Sequence, residues 1–174
     1  EFKREHWMPF SAISNLLQMT KPSNIQFHKS LLQWFDTAAR DLPFRRTKDP
    51  YCIWLSEIML QQTQVKTVIP YYERFLKKLP TVQALAEAKL DTVLKLWQGL
   101  GYYTRAKSLH KAAKVIVEHH GGQFPQEFEA IIAMPGIGRY TAGAIGSIAF
   151  GLQKAVLDGN VIRVMCRLYA IQDN

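Results

Sequence analysis

The chain has 174 residues, of which 48% are hydrophobic and 21% charged, and it carries a formal net charge of +8 at pH 7. This length supports one sizeable core, and the composition excludes a disordered chain and a disulfide-rich secreted domain, because only two isolated cysteines occur. No apolar stretch is long enough to cross a membrane, so we expect a cytoplasmic protein. The excess of basic residues is typical of proteins that bind phosphate polymers.

Helical periodicity recurs along the chain, whereas no strand pattern is convincing, and this predicts an all-α protein of about eight or nine short helices. We predict that Asn24 caps the first helix, and that Asp49 and Pro50 begin a second, largely buried one. Gly121 is expected to end a long helix. The other predicted helices are residues 65–79, short helices begun by Thr81 and Asp91, and residues 105–120, 128–133 and 139–150. The residues assigned to the core include Trp34, Trp54, Trp97, Cys52 and Cys166.

The second helix contains an isolated carboxylate. Glu57 is the single charge in the segment IWLSEIML, in which every other residue except Ser56 is apolar. Desolvation favours the protonated form of a carboxyl group, which suits a general acid. A solvated glutamate on the edge of an amphipathic helix is the alternative. The polar segment QQTQ that follows favours the first interpretation, because amides such as those of Gln61 and Gln62 suit base edges.

The segment WQGLGYYTRAK combines two glycines, two tyrosines and two basic residues. Tyrosines here offer stacking surfaces, and Arg105 and Lys107 could contact phosphates. Aromatic wedges of this kind hold open a duplex from which a base has been extruded. The alternative, equally compatible with the pattern, is a glycine-broken helix junction with Tyr102 and Tyr103 half buried.

Residues 126–160 carry the most information. Gly136 and Gly138 bracket a tight turn between two apolar helical segments, and glycines at this spacing allow positive φ and expose the amides that begin the second helix. Such amides form a phosphate site. Asp158 follows one helix length later, and a carboxylate beside a nucleic-acid anchor indicates chemistry on DNA as well as binding. The residues assigned to the anchor are Gly136, Ile137, Gly138 and Arg139.

Four segments in order, LSEIMLQQTQV, GLGYYTRA, MPGIGRYTAGAI and LDGNVIRV, closely resemble MutY-type adenine DNA glycosylases of the helix-hairpin-helix superfamily. The resemblance implies an all-α helix-hairpin-helix DNA glycosylase fold, with a six-helix barrel domain and the N-terminal part of a second helical domain. The implied boundaries are residues 1–24 as an N-terminal extension, 25–45 as the first helix and loop of the second domain, and 46–174 as the barrel domain, with the hairpin at about 126–150. Residues 1–18 are expected to be extra sequence ahead of a natural start at Met19.

The resemblance implies a base excision repair enzyme that hydrolyses the N-glycosidic bond of adenine mispaired with 8-oxoguanine or guanine. Glu57 would protonate the flipped adenine, and Asp158 would stabilise the oxocarbenium-like sugar electrostatically or through a transient covalent bond. Tyr140 and Asn160 would lie beside that sugar. The family positions around the adenine are Arg40, Leu42 and Arg45, with Phe44 as an aromatic wall, and those around the oxidised guanine and the wedge are Gln62, Thr63, Leu100 and Tyr102.

Position 140 distinguishes the branches of the superfamily. Members that also cut the backbone carry a lysine there, so Tyr140 implies a monofunctional glycosylase that acts on double-stranded DNA as a monomer. A thymine-mismatch glycosylase is the alternative within the superfamily, and a catalytically idle DNA-binding module is the alternative outside enzymes. The family's iron–sulfur cluster needs four cysteines, which we expect beyond residue 174, so no cofactor or metal is assigned to this chain. A bacterial protein of this kind would work in the nucleoid.

Overall fold

The computed structural model describes residues 24–171, and within this range every regular element is helical. The predicted N-terminal extension and the start at Met19 lie outside these residues. The helices are α1 (Asn24–Ala38), α2 (Pro50–Leu60), α3 (Val65–Lys78), α4 (Val82–Glu87), α5 (Leu90–Trp97), α6 (Thr104–His120), α7 (Phe128–Ile132), α8 (Arg139–Phe150) and α9 (Gly159–Tyr169), with a 3-10 turn at Pro43–Arg45. The all-α prediction is confirmed. None of the described helices is long and apolar enough to cross a membrane.

The described residues form two compact units. The larger unit is residues 41–157, and the smaller combines residues up to 40 with those from 158 onward. In the larger unit α2 is the central helix and packs against α3, α6 and α8. Its residues 53–59 are all buried, which explains why the segment is apolar on every side.

Local signals set most helix ends in the larger unit. The Asp49 side chain caps α2 by accepting hydrogen bonds from the amides of Tyr51 and Cys52, at 2.8 and 3.3 Å, as predicted. Thr81 caps α4 through the Ala84 amide. Helix α5 begins one residue before the predicted Asp91, and its N-cap, Lys89, makes no side-chain cap bond.

The core assignment is wrong for Trp34 and holds only in part for the two cysteines. Trp54 and Trp97 are fully buried in the larger unit, but Trp34, in the smaller unit, is 60% exposed on α1. Cys52 and Cys166 are both only partly buried. Helix α1 and α9 carry exposed apolar faces, and one ring contact within the smaller unit joins them, where Phe27 meets the edge of Tyr169 at 6.4 Å.

Candidate active site and nucleic-acid interface

The Glu57 carboxylate is buried in α2, with 4% of the residue exposed, and it has a charged partner. Arg45 Nη2 donates a hydrogen bond of 2.9 Å to Glu57 Oε1, and the Arg45 side chain is itself 39% exposed. A buried carboxylate is costly unless it is paired, and here the partner reaches it from the solvent side. The burial expected from the apolar neighbours is found, and the charged partner of the carboxylate is a partly exposed guanidinium.

The loop that supplies Arg45 is anchored by Phe44. Phe44 is buried in the 3-10 turn and meets Tyr72 edge-to-face at 5.7 Å, so it belongs to the core, and its role as an aromatic wall beside the adenine stays a prediction. Leu42 is partly buried against the same core, and Arg40 is exposed in the smaller unit. Of the three residues assigned to the adenine pocket, Arg45 is the one that forms a hydrogen bond with Glu57.

Two residues on separate loops have left-handed backbones although neither is glycine. Gln62 has φ of 55° in the loop after α2, and Tyr102 has φ of 48° in the loop before α6. Such conformations cost free energy and persist only where the surrounding structure imposes them. Tyr102 is 63% exposed and Tyr103 42%, so the half-buried alternative is wrong for Tyr102 and compatible with Tyr103. Leu100, the other predicted wedge residue, is buried.

Arg105 joins these two loops, which we call the Gln62 loop (residues 61–64) and the Tyr102 loop (residues 98–103). Its guanidinium donates hydrogen bonds to both loops and to the end of α2. The acceptors are the carbonyls of Ile58 (2.9 Å), Met59 (3.0 Å), Gln61 (2.6 Å), Leu100 (3.2 Å) and Gly101 (3.2 Å), and the hydroxyl of Thr63 (3.3 Å). Burial lowers the pKa of this guanidinium below its ordinary value. The predicted phosphate contact of Arg105 stays a prediction, and both terminal nitrogens of the guanidinium already donate to protein oxygens.

The Tyr102 loop has further supports. Trp97 Nε1 donates to the Gly101 carbonyl at 3.1 Å, and the Arg105 guanidinium lies 5.4 Å from the Trp97 ring centre and 5.6 Å from that of Tyr102. Gly99 has φ of 101°, and a Cβ there would collide with the Tyr71 hydroxyl. The loop is therefore fixed on its inner side and presents Tyr102 on its outer side.

The hairpin between α7 and α8 uses its two glycines differently. Gly136 has φ of 76°, and a Cβ there would lie 2.5 Å from Cβ of Ser108, so both the backbone and the space require glycine. Gly138 has φ of −87° and open space around it, so it does not use the positive φ that glycine allows. Gly138 is the N-cap of α8 and has no side chain that could cap the first amides of the helix. Ile137 is buried and anchors the turn, whereas Arg139 is exposed.

A cleft of about 170 Å³ lies between the end of α2, the start of α6 and the hairpin. Its lining residues are Trp54, Ile58, Gln61, Thr104, Arg105, Ser108, Leu109, Pro135 and Gly136. The hairpin and the Gln62 loop are thus neighbours on the larger unit. Trp54 Nε1 and Arg105 Nε are buried without a hydrogen-bond partner.

The smaller unit holds Asp158 at the start of α9. Asp158 Oδ1 accepts a hydrogen bond of 2.8 Å from the Val161 amide, and Asn160 Nδ2 donates to Oδ2 at 3.2 Å. The hydrogen bond donated by the Val161 amide, together with the one from Asn160, lowers the pKa of Asp158 below its ordinary value. Asp158 is therefore a helix cap and an ionised carboxylate at neutral pH. Tyr140, in the larger unit, is 39% exposed in the first turn of α8.

Residues 55–174, more than half of the chain, match the family described as HhH-GPD superfamily base excision DNA repair protein. The chain belongs to this superfamily. The match covers α3 to α9, part of α2, and the hairpin, and the fold predicted from the motifs is confirmed.

Curated adenine DNA glycosylases are similar to this HhH-GPD chain over most of its length. The relative from Buchnera aphidicola subsp. Baizongia pistaciae is 48% identical over 153 residues, which cover 87% of this chain and 44% of the relative. The Homo sapiens relative is 51% identical over 154 residues, covering 83% of this chain and 28% of the relative. The resemblance to adenine DNA glycosylases is thus confirmed, and the chain spans less than half of the length of these relatives.

Solved structures of the superfamily share the fold. A thermostable thymine-DNA glycosylase superposes with a TM-score of 0.76 at 33% identity, covering 80% of this chain and 64% of that one. A non-covalent endonuclease III–DNA complex gives a TM-score of 0.69 at 20% identity, covering 82% and 67%, and this likeness concerns the fold alone.

The iron–sulfur cluster that the resemblance implies does not fit the residues present here. Such a cluster needs four thiolates, and the chain has two cysteines. Among residues 24–171 no group of three or more His, Cys, Asp or Glu side chains could hold a metal ion.

Three features of this HhH-GPD chain were not expected from its sequence. They are the joining of two loops by Arg105, the left-handed backbones of Gln62 and Tyr102, and the position of Ser108 under Gly136. Neither left-handed residue is a glycine or asparagine, so no composition signal marks it. Arg105 is more than 40 residues away in sequence from the Gln62 loop that it binds, so a pattern of neighbouring residues could not predict these hydrogen bonds.

Proposed function

We propose that this protein acts as the helical catalytic part of a monofunctional adenine DNA glycosylase. The enzyme would hydrolyse the N-glycosidic bond of adenine mispaired with 8-oxoguanine or guanine in double-stranded DNA. The observation that carries the proposal is the Glu57 carboxylate, which is buried in α2 and reached by one partly exposed guanidinium. A buried carboxyl group beside an apolar wall suits proton donation to a base that has left the duplex.

Adenine is a poor leaving group as an anion, and protonation of a ring nitrogen removes this difficulty. In the proposed step Glu57 gives its proton to the flipped adenine, the bond between the sugar carbon and the base nitrogen breaks, and the electron pair leaves with the base. Water then adds to the sugar carbon and releases a proton. Because Glu57 must carry a proton to act, Arg45 would have to give up its contact with Oε1 as the base enters.

The positive charge that develops on the sugar needs a carboxylate. Asp158 is proposed for this role, since the Val161 amide keeps its pKa low and the side chain therefore ionised. Tyr140 and Asn160 are proposed to flank the same sugar. Tyr140 has no amine and cannot form a Schiff base, which supports a monofunctional enzyme.

DNA binding is proposed to use the outer surface of the larger unit. The amides that begin α8, together with Arg139, would hold the phosphate backbone. Gln62 and Tyr102 would enter the duplex near the mismatch, because both are exposed and both lie on loops that Arg105 holds. Extrusion of the adenine costs unstacking energy, and rigid wedge loops lower the cost of keeping the gap open.

The second candidate is a thymine-mismatch glycosylase, because the chain is similar to a solved thymine-DNA glycosylase. Sequence identity favours adenine, at 48% to 51% for the adenine glycosylases against 33% for the thymine enzyme.

A glycosylase assay on duplexes with adenine opposite 8-oxoguanine, adenine opposite guanine and thymine opposite guanine separates the two candidates. We expect base release from the first two; release from the thymine duplex alone would support the second candidate. Binding without release from any duplex would indicate a catalytically idle module.

The acid role is tested by Glu57→Gln, which keeps the shape of the side chain and removes the proton. We expect single-turnover base release to fall about 100-fold or more, with DNA affinity unchanged. Glu73→Gln is the matched control, because Glu73 is an exposed glutamate on α3 and its substitution changes the net charge by the same amount. Equal rates for the two variants would show that Glu57 has a structural role.

A further inference from the structure

A basic groove lies between α3 and α5 on the larger unit. It encloses about 500 Å³ and is lined by Arg74, Lys78, Thr92, Lys95, Leu96 and Gln98. Three of these six residues are cations and none is an acid. The mechanism proposed above uses none of them.

The cations of the basic groove lack carboxylate partners. Within residues 24–171 the two ion pairs are Arg45–Glu57 and Arg46–Asp41, and neither involves the groove. Glu73 adjoins Arg74 in sequence and Asp91 precedes Lys95 by one helical turn, yet neither reaches a groove cation within 4.0 Å. Three unneutralised charges around one concavity give a local positive potential that attracts an anion.

One wall of the groove is fixed in place. Arg74 Nη2 donates a hydrogen bond of 3.2 Å to the Leu96 carbonyl, and the Arg74 guanidinium lies 4.4 Å from the centre of the Tyr71 ring. These contacts tie α3 to the end of α5 and hold the guanidinium in one position. Lys78 and Lys95 are the long, mobile cations that can adjust to a ligand.

The groove leads into the Tyr102 loop. Gln98 lines the groove at the end of α5, and it is followed directly by the residues that carry Leu100 and Tyr102. A strand of DNA that Tyr102 contacts would therefore pass close to the groove. Thr92 and Gln98 add neutral donors of the kind that bind phosphate oxygens.

We propose that the basic groove binds the phosphodiester backbone of duplex DNA outside the mismatch, and so extends the contact surface along the duplex. The inference rests on the proposed function for the position of the DNA. The adjacency to the Tyr102 loop favours DNA over an acidic protein segment as the occupant. Each phosphate neutralised by a groove lysine releases counterions, so the groove contributes to the salt dependence of affinity.

The test uses two double variants. The groove variant carries both Lys78→Gln and Lys95→Gln, and the matched control variant carries both Lys111→Gln and Lys114→Gln. The control pair is exposed on α6 and makes the same change in net charge. Arg74 is left in place because it joins two helices. Affinity is measured against salt concentration on two mismatched duplexes, one that ends within a few base pairs of the mismatch and one that extends a full helical turn on either side.

On the long duplex we expect the groove variant to lower the slope of log affinity against log salt by about 1 per lost contact, so by about 1 to 2. On the short duplex its affinity should match that of the parent, and the control variant should have the smaller effect on both. Equal slopes for the two double variants would overturn the proposal. Loss of binding to a Glu-rich peptide, with DNA affinity unchanged, would also overturn it and assign the groove to an acidic protein.

Base release from the short duplex is measured with the same proteins. If the groove variant changes the salt slope on the long duplex but the parent releases no base, the enzyme proposal fails and the groove assignment stands. If the parent releases adenine and the slope is unchanged by the groove variant, the groove assignment alone fails.

Discussion

The loops joined by Arg105 and the turn between α7 and α8 both need left-handed backbone, and they obtain it by different means. In the loops, two non-glycine residues, Gln62 and Tyr102, take positive φ in addition to Gly99 and Gly101, while one guanidinium binds the carbonyls around them. In the hairpin, Gly136 takes positive φ because glycine permits it, and the absence of a side chain lets Ser108 approach.

The two regions should therefore tolerate different kinds of substitution. The loops depend on hydrogen-bond donors, so they are sensitive to the loss of one polar side chain and less sensitive to added volume on their exposed face. The hairpin depends on empty space, so it is sensitive to a single added methyl group. Substitutions at Arg105 and Gly136 test this contrast directly, and Asp158 adds a site where a capping side chain stabilises a helix end.

Arg105→Ala should lower the free energy of unfolding by about 3 kcal/mol, because several partly buried carbonyls lose their donor at once. Urea unfolding measures this effect. Arg105→Lys keeps the charge but not the planar fork, so it should recover part of the stability and still fail to discriminate mismatched from matched duplex.

The control for Arg105 is Lys107→Ala, an exposed cation on the same helix. It should leave stability and the ratio of mismatched to matched affinity near the parent values. If Arg105→Lys keeps that ratio while stability falls, the guanidinium stabilises the fold without positioning the loops.

Gly136→Ala should cost about 2 kcal/mol, through the unfavourable φ and the contact with Ser108. Gly138→Ala is the matched variant, and its cost should be within about 0.5 kcal/mol because the backbone suits alanine and the space is open. A double-mutant cycle with Ser108→Gly measures the contact directly, and we expect Ser108→Gly to relieve part of the Gly136→Ala defect. Additive effects would show that backbone strain alone requires glycine at this position.

Asp158 has a smaller effect on stability, which depends on pH. The Val161 amide lowers the pKa of Asp158 in the folded chain, so its stabilising contribution is complete above the unfolded value of about 3.9 and is lost as the pH falls through the folded value. Asp158→Asn preserves the cap and should therefore remove this acid sensitivity while leaving the melting temperature at neutral pH nearly unchanged.

The same variant separates capping from chemistry. If Asp158 stabilises the sugar cation, Asp158→Asn should cripple single-turnover base release while DNA affinity is kept or improved, since a negative charge leaves a phosphate-rich surface. Weaker binding to every duplex with an unchanged rate would leave Asp158 as a helix cap.

The sequence predicted what short-range chemistry controls. Asp49 and Thr81 cap the helices assigned to them, Gly121 ends α6 with φ of 59°, and Glu57 is buried as its apolar neighbours indicated. Each of these signals acts within a few residues. The motifs also identified the superfamily, because their order and spacing are specific.

What the sequence did not predict depends on the tertiary structure. Arg105 was assigned to phosphates because a basic residue beside tyrosines suits them, yet its donors meet carbonyls from a distant helix end. The sequence pattern treats Gly136 and Gly138 alike, but Gly138 is an extended N-cap and does not need positive φ. Trp34 was assigned to the core from its residue type alone, and it is exposed on α1.

The hydrogen bond from Trp97 to Gly101 gives the Tyr102 loop an optical signature. The emission of an indole depends on its hydrogen bond and on nearby charge, and Trp97 has both, from the Gly101 carbonyl and the Arg105 guanidinium. A movement of the loop by one or two ångströms breaks the first and weakens the second. With Trp7, Trp34 and Trp54 replaced by phenylalanine, the emission wavelength of Trp97 would report the position of the Tyr102 loop as it enters the duplex, before any bond to a base is broken.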